Sequence, residues 1–309
     1  MTAGTLTAPA PAPDTAPAPA SAPVPRIDRV GIVGCGTMGA GIAELCAKAG
    51  QDVLVAVRSE DAVPAGLRRI TASLDRALSR GRVGADEREA ALARVAFTRD
   101  LGDLADRQLV VEAIPEDETA KLSVLGTLDK VLADEDAVLA TNTSSLSVSR
   151  LARATTRPGR VIGIHFFNPA PVLPLVELVE SVLTEPATRD RAEAFVVNDL
   201  GRTVLRTRDR AGFVVNALLF PYLLSAIRMV DAGHAEPEVL DRAMELGCSH
   251  PMGPLRLADL IGLDTTVSIA RAMYEETKEP LHAPPPLLLR MVECGLLGKK
   301  TGRGFYTYR

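Results

Sequence analysis

The sequence has 309 residues, 47% apolar and 24% charged, with a net charge of −4, the composition of a globular protein with room for about two domains. The mild negative balance and the lack of a basic stripe argue against a nucleic-acid partner. No run of about 18 apolar residues is present, so no membrane span is expected, and the N-terminus lacks the Lys/Arg-led apolar segment of a secretory signal. Cys35, Cys46, Cys248 and Cys294 have neither paired nor metal-ligand spacing. No metal site is expected, and the thiols read as reduced in a cytoplasmic protein, most of them packing as small hydrophobes.

Residues 1–26 are almost entirely Ala, Pro, Thr and Ser. Such a segment cannot bury enough apolar area to offset its ordering entropy, and reads as a disordered tail. Order begins at Arg29. Val30-Gly31-Ile32-Val33 predicts a strand that runs into Gly34-Cys35-Gly36-Thr37-Met38-Gly39. Met38, Ile42, Leu45 and Ala49 then recur at helical spacing up to Gly50, and Val53 to Val57 predicts the next strand. Strand, G-x-G-x-x-G, helix and strand make the βαβ unit that binds a dinucleotide. Its glycines let the backbone approach a pyrophosphate at the helix N-terminus.

Two helices are expected over Ser59 to Ser79 and Asp86 to Arg94, then strands at Val95 to Phe97 and Leu109 to Val111. A helix over Thr119 to Ala133 leads to a strand at Ala137 to Ala140. This alternation predicts a doubly wound, Rossmann-type parallel sheet. Polar clusters, Glu112 to Glu116 and Thr141-Asn142-Thr143-Ser144-Ser145, follow two of the strands, at the edge where open α/β sheets bind ligands. The second cluster also suits a helix cap for a helix near Val148, and the two roles can coexist.

Val161-Ile162-Gly163-Ile164-His165-Phe166 and Leu175-Val176-Glu177-Leu178-Val179 flank a proline-rich turn. Paired antiparallel about Pro171, they set His165 opposite Glu177. A carboxylate beside an imidazole fixes its tautomer and stabilises its protonated form, as a general base requires. A core histidine with a satisfied hydrogen bond and a surface glutamate is the plainer alternative. A helix over Arg189 to Leu200 and a last strand at Thr203 to Leu205 complete a dinucleotide-binding domain over residues 27–207. From 208 to 309 the pattern is helical: Phe213 to Val230, a helix from Pro237 closed by Gly247, then Leu255 to Leu260, Thr265 to Thr277 and Pro286 to Cys294. Asn216, inside an apolar stretch, either caps backbone or faces a cleft.

Together these segments resemble the 3-hydroxyacyl-CoA dehydrogenases, most of all the short bacterial 3-hydroxybutyryl-CoA dehydrogenases. The resemblance spans Arg29 to Tyr308. It rests on the glycine loop Gly34 to Gly39, Val111-Glu112-Ala113-Ile114-Pro115-Glu116, Asn142-Thr143-Ser144-Ser145-Leu146 and His165-Phe166-Phe167-Asn168-Pro169. It rests too on Gly212-Phe213-Val214-Val215-Asn216, His250-Pro251-Met252-Gly253-Pro254 and Lys299-Lys300-Thr301-Gly302-Arg303-Gly304-Phe305-Tyr306.

The resemblance implies an enzyme that moves a hydride between a 3-hydroxyacyl-CoA and a nicotinamide cofactor. It implies His165 as the base, Glu177 as its carboxylate partner, and Ser144 and Asn216 holding substrate. Asn168 would be a further contact. Gly34, Gly36, Thr37, Met38, Gly39, Glu116, Lys121, Asn142 and Lys300 would bind the cofactor, and Ser73 and Arg80 the CoA moiety. The helical domain would dimerise the chain. The family's acidic residue at the end of the second strand is replaced by Val57, followed by Arg58, which leaves NAD and NADP both open. The competing readings are a carrier-bound or free 3-hydroxy acid as substrate, and a non-catalytic cofactor-binding protein.

Overall fold

The computed structural model describes residues 25–308, so that residues 1–24 of the expected tail lie outside the described residues. Eight strands form one sheet in the order β3-β2-β1-β4-β5-β6-β7-β8. They are β1 (Arg29–Val33), β2 (Asp52–Ala56), β3 (Val95–Thr98), β4 (Leu109–Glu112), β5 (Val138–Thr141), β6 (Val161–Phe166), β7 (Leu175–Glu180) and β8 (Thr203–Arg208). The pairs are parallel except β6–β7, so a doubly wound sheet carries an antiparallel hairpin near one edge. Strand order reverses between β1 and β4, the switch point where such sheets bind ligands.

Helices α1 (Thr37–Lys48), α2 (Ala62–Ser79), α3 (Ala85–Ala93), α4 (Glu118–Val131), α5 (Val148–Ala152) and α6 (Pro186–Ala194) cover the sheet. Alternate strand residues feed two cores, as a sheet buried on both faces requires. Val30, Ile32, Val53, Val55, Leu109 and Val111 pack with α1 and α2. Val33, Ala56, Val110, Leu139 and Val161 pack with Leu128 of α4 and Val148 of α5. A π-helical turn at Phe195–Asp199 follows α6, where a continuous helix to Leu200 was expected. β8 runs three residues past the expected Leu205, because an edge strand exposed on one side tolerates Arg206 and Arg208.

Beyond β8 the chain is helical: α7 (Val215–Asp231), α8 (Pro237–Gly247), α9 (Pro254–Ile261), α10 (Leu263–Thr277) and α11 (Pro286–Glu293). Their own core holds Leu224, Ile227, Leu255, Leu263, Val267 and Leu288. The Gly-rich ending, which by itself reads as a solvated tail, is docked. Asp259, fully buried, accepts the amides of Phe305 and Tyr306 (3.0 Å each) and the Tyr308 hydroxyl. Asp241 accepts the Tyr306 hydroxyl at 2.8 Å. Two cysteines, Cys35 and Cys46, are buried, while Cys248 and Cys294 are exposed, so half rather than most pack inside. No helix among the described residues is long and apolar enough to cross a membrane.

Candidate active site

The β6–β7 register sets His165 directly opposite Glu177, as the symmetric pairing about Pro171 requires. Both side chains are buried. His165 Nδ1 lies 2.8 Å from Glu177 Oε2, and His165 Nε2 lies 3.1 Å from Ser144 Oγ. The second carboxylate oxygen, Glu177 Oε1, accepts the amides of Val214 (3.0 Å) and Val215 (2.9 Å) at the start of α7. Burial alone would raise this carboxyl's pKa. The hydrogen bond to His165 and the Val215 and Val214 amides outweigh it and hold Glu177 below the usual carboxylate range. An ionised Glu177 leaves Nδ1 as the protonated nitrogen of a neutral imidazole, so Nε2 is the free acceptor facing Ser144.

Ser144 is held by a loop with its own anchor. Glu116 Oε1 accepts the amides of Ser144 and Ser145 (3.0 Å each), the Ser145 hydroxyl (2.8 Å) and the Thr143 hydroxyl. Burial pushes the Glu116 carboxyl upward, but Lys121 and these donors prevail and it stays below the usual range. Behind it, Lys121 is buried with its ammonium on Glu112 (2.7 and 2.9 Å), Glu116 (3.3 Å) and the Ile114 carbonyl. Lys121, expected to contact the cofactor, has its charge enclosed here and acts on the loop through Glu116. The helix-cap alternative for the polar cluster also resolves. α5 is capped by Ser147, whose oxygen accepts the Arg150 amide, and not by Asn142 to Ser145. Asn142 Oδ1 accepts the Phe166 amide (2.9 Å), tying the ends of β5 and β6 together. Asn216 is buried on the first turn of α7, and no side-chain hydrogen bond among the described residues uses its amide.

The glycine loop has the shape a pyrophosphate needs. Gly34 turns at φ +96°, and a Cβ on Gly39 would sit 2.0 Å from the Gly34 carbonyl oxygen, so loop and helix touch there. A Cβ on Gly36 would meet nothing within 4 Å. Thr37 and Met38 open α1, whose N-terminus has no side-chain acceptor, and its first-turn amides are free for an anion. Val57, buried, continues the β2 edge, its amide on the Thr98 carbonyl, and Arg58 beside it is exposed.

Between α1, α2 and the turn after β6 lies a cleft of about 540 Å³, lined by Thr37, Glu44, Ser73 and Asn168 among others. Of two larger surface hollows, one lies against α4 and the turn before β6, and the other, between β7 and β8, has Phe213 in its lining. Arg80, at the end of α2, is exposed and lies outside the lining residues. Arg68, Arg69 and Arg76 are the cationic residues lining the cleft. Arg69 reaches the Cys35 carbonyl in the glycine loop at 3.2 Å. The missed signal was a helical one, since Arg69, Ser73 and Arg76 fall at i, i+4 and i+7 on one face. Lys300 follows α11 near the C-terminus. Its ammonium pairs with Asp264 at 2.6 Å on the helical unit, and no hydrogen bond or ion pair among the described residues links it to the glycine loop. No group of three or more His, Cys, Asp or Glu among the described residues is arranged to hold a metal ion.

Two family models cover almost the whole described chain: 3-hydroxyacyl-CoA dehydrogenase, NAD binding domain, over residues 29–210, and 3-hydroxyacyl-CoA dehydrogenase, C-terminal domain, over 212–308. A 3-hydroxybutyryl-CoA dehydrogenase of Mycobacterium tuberculosis is 59% identical over 282 residues, covering 91% of this chain and 99% of that one. The crystal structure of M. tuberculosis FadB2 superposes with a TM-score of 0.90 at 59% identity, over 92% of this chain and 99% of the other. That of the (S)-3-hydroxybutyryl-CoA dehydrogenase of Ralstonia eutropha gives 0.86 at 41% identity, over 92% and 100%. A glycine loop at the sheet's switch point, a buried imidazole–carboxylate pair at the same sheet edge, and this likeness over nine-tenths of the length place the chain in the 3-hydroxyacyl-CoA dehydrogenase family.

Proposed function

We propose that the chain catalyses the reversible oxidation of a 3-hydroxyacyl-CoA, such as 3-hydroxybutyryl-CoA, to the 3-oxoacyl-CoA, with His165 as general base. The observation that carries this is the relay Ser144 Oγ–His165 Nε2, His165 Nδ1–Glu177. In the oxidation direction the C3 hydroxyl proton passes to His165 Nε2 as the C3–H bond breaks and the carbonyl forms. The nicotinamide, when bound, supplies the two-electron acceptor for the hydride. Glu177, ionised and tied to the start of α7, balances the imidazolium and keeps the ring's tautomer fixed. Ser144 hydrogen-bonds the reacting oxygen, and Asn216, with its amide unused, joins it. Proton transfer by a placed base contributes ~10²–10⁴-fold.

The pyrophosphate of the coenzyme belongs on Gly34 to Gly39 and the first turn of α1, with Asn142, Asn168 and Glu116 nearby on the same edge. At the ribose, Val57 can neither accept a hydrogen bond from a 2′-hydroxyl nor repel a 2′-phosphate, and Arg58 can hold that phosphate, so NADP stands beside NAD. The α2 cleft, with Ser73, Arg68, Arg69 and Arg76, suits the phosphates of CoA, which favours a CoA thioester over a carrier-bound or free acid. Residues 27–207 form the cofactor unit and 208–309 the substrate and dimerisation unit of a cytoplasmic homodimer.

The deciding experiment follows nicotinamide absorbance with acetoacetyl-CoA, acetoacetyl-carrier protein and free acetoacetate in parallel. Acetoacetyl-CoA should be reduced with the highest kcat/KM. No turnover with any of the three would remove the dehydrogenase assignment.

A further inference from the structure

The segment joining the sheet to α7 holds the most unusual backbone near the dyad. Gly212 and Phe213 have φ of 82° and 47°. Glycine takes such a conformation freely, but a bulky residue in the left-handed region is strained and is held there by its surroundings. Phe213 is buried, and its ring meets the His165 imidazole edge-on, centroids 5.4 Å apart at 62°. Phe167 makes a second edge contact with the same imidazole at 4.7 Å and 62°. The two amides that follow Phe213, of Val214 and Val215, are those that grip Glu177 Oε1. One strained residue thus touches the imidazole through its ring and aims the next two amides at the imidazole's carboxylate.

Building on the assignment of His165 as base, we propose that Phe213 is a positioning residue for the dehydrogenase reaction, setting the plane of the His165 ring and the grip on Glu177. Edge contacts from two phenyl rings oppose rotation of the imidazole. Nδ1 then stays on Glu177 and Nε2 stays in line with Ser144, the geometry proton transfer needs. A space-filling role would predict a loss of stability when the ring is removed. A positioning role predicts a loss of turnover in a protein that still folds, because the position relieved of its side chain is one that favours glycine.

The test compares Phe213→Gly and Phe213→Tyr with wild type by thermal midpoint, by kcat and KM with acetoacetyl-CoA and coenzyme, and by ¹⁵N shifts of the histidine rings. The protein has four histidines, so the His165 signals are assigned as those that vanish in His165→Gln. In Phe213→Gly, kcat should fall ~10- to 100-fold with both KM values within about twofold, a KM-against-kcat split that simple loosening would not give. Its His165 nitrogens should shift from one defined tautomer toward a mixture, and Phe213→Tyr, which keeps the ring, should retain turnover. Wild-type kcat in Phe213→Gly, or unchanged His165 shifts whatever the rate, would overturn the proposal. Should Phe213→Gly fail to fold, Phe213→Leu keeps the bulk without the ring edge, and the same two readouts decide. If wild type shows no dehydrogenase activity, the assigned reaction falls, while the ring shifts still judge whether Phe213 orients His165.

Discussion

At the residue scale the chemistry concentrates in one imidazole and one carboxylate. Replacing His165 by Gln should cut turnover at least ~10²-fold while coenzyme affinity, measured by fluorescence titration, stays near wild type. Glu177→Gln keeps the shape but loses the charge beside the ring. Turnover should fall roughly tenfold or more, the worth of one charge-assisted hydrogen bond of about 1.5 kcal/mol. The same substitution has a stability signature. The folded Glu177 carboxyl sits below its ordinary 4.5, so its stabilisation is whole above that pH and is lost as pH falls through the depressed value. Wild-type denaturation midpoints should drop on acidification below about 4.5, and in Glu177→Gln that drop should be shallower. Arg58 is judged by the ratio of kcat/KM for NADPH and NADH. Measurable NADPH activity is expected in wild type. A charge-assisted contact of ~1.5–3 kcal/mol makes Arg58→Ala lower the ratio tenfold or more. A strong NADH preference that Arg58→Ala leaves unchanged would place the guanidinium in solvent. The dyad was legible in the sequence because strand side chains alternate: residues 165 and 177 are symmetric about one turn, and pairing fixes their opposition. Enclosure was not legible. Nothing along the chain says that Lys121 is buried behind Glu116, or that Lys300 faces Asp264.

At the element scale, the strands and most helices follow from their apolar periods, and the departures share a cause. Helix ends moved by one to three residues, since the caps depend on local hydrogen bonds that pattern alone does not set. The π-helical turn after α6 and the three added residues of β8 are likewise choices of hydrogen-bond partner. The docked C-terminal segment shows tertiary contacts overriding composition. A Cβ on Gly304 would lie 2.0 Å from Asp259 Oδ1, and one on Gly298 2.3 Å from the Asp259 carbonyl oxygen, so those glycines mark close approach, where the composition by itself suggests a solvated tail. Gly304→Ala should therefore push the segment off Asp259. The expected result is a destabilisation of about 1–3 kcal/mol and new proteolytic cleavage after residue 298, both absent in a Thr307→Ala control at an exposed site.

At the scale of the whole molecule, the helical unit leaves apolar side chains in solvent. Leu218 of α7 is 76% exposed, and Val239 and Leu246 of α8 are 58% and 69% exposed; the last two are seven residues apart and share a helix face. Such a surface fits a two-fold homodimer. Light scattering should give twice the chain mass at micromolar concentration, and Leu218→Asp with Leu246→Asp should give half of that. A monomer in wild type would remove the dimer from the account. Removing residues 1–25 should alter neither mass ratio nor turnover. Glu177 belongs to the sheet by its backbone, yet among the described residues one of its oxygens is satisfied only by the amides at the start of α7. The sheet unit alone holds every glycine of the nucleotide loop and both members of the dyad, but not the two backbone amides that join His165 in holding the carboxylate ionised. A chain in which α7 is not docked against β7 should accordingly keep the glycine loop but leave Glu177 Oε1 without these two amides. Turnover should therefore report the docking of the helical unit, whereas coenzyme binding on the glycine loop should not.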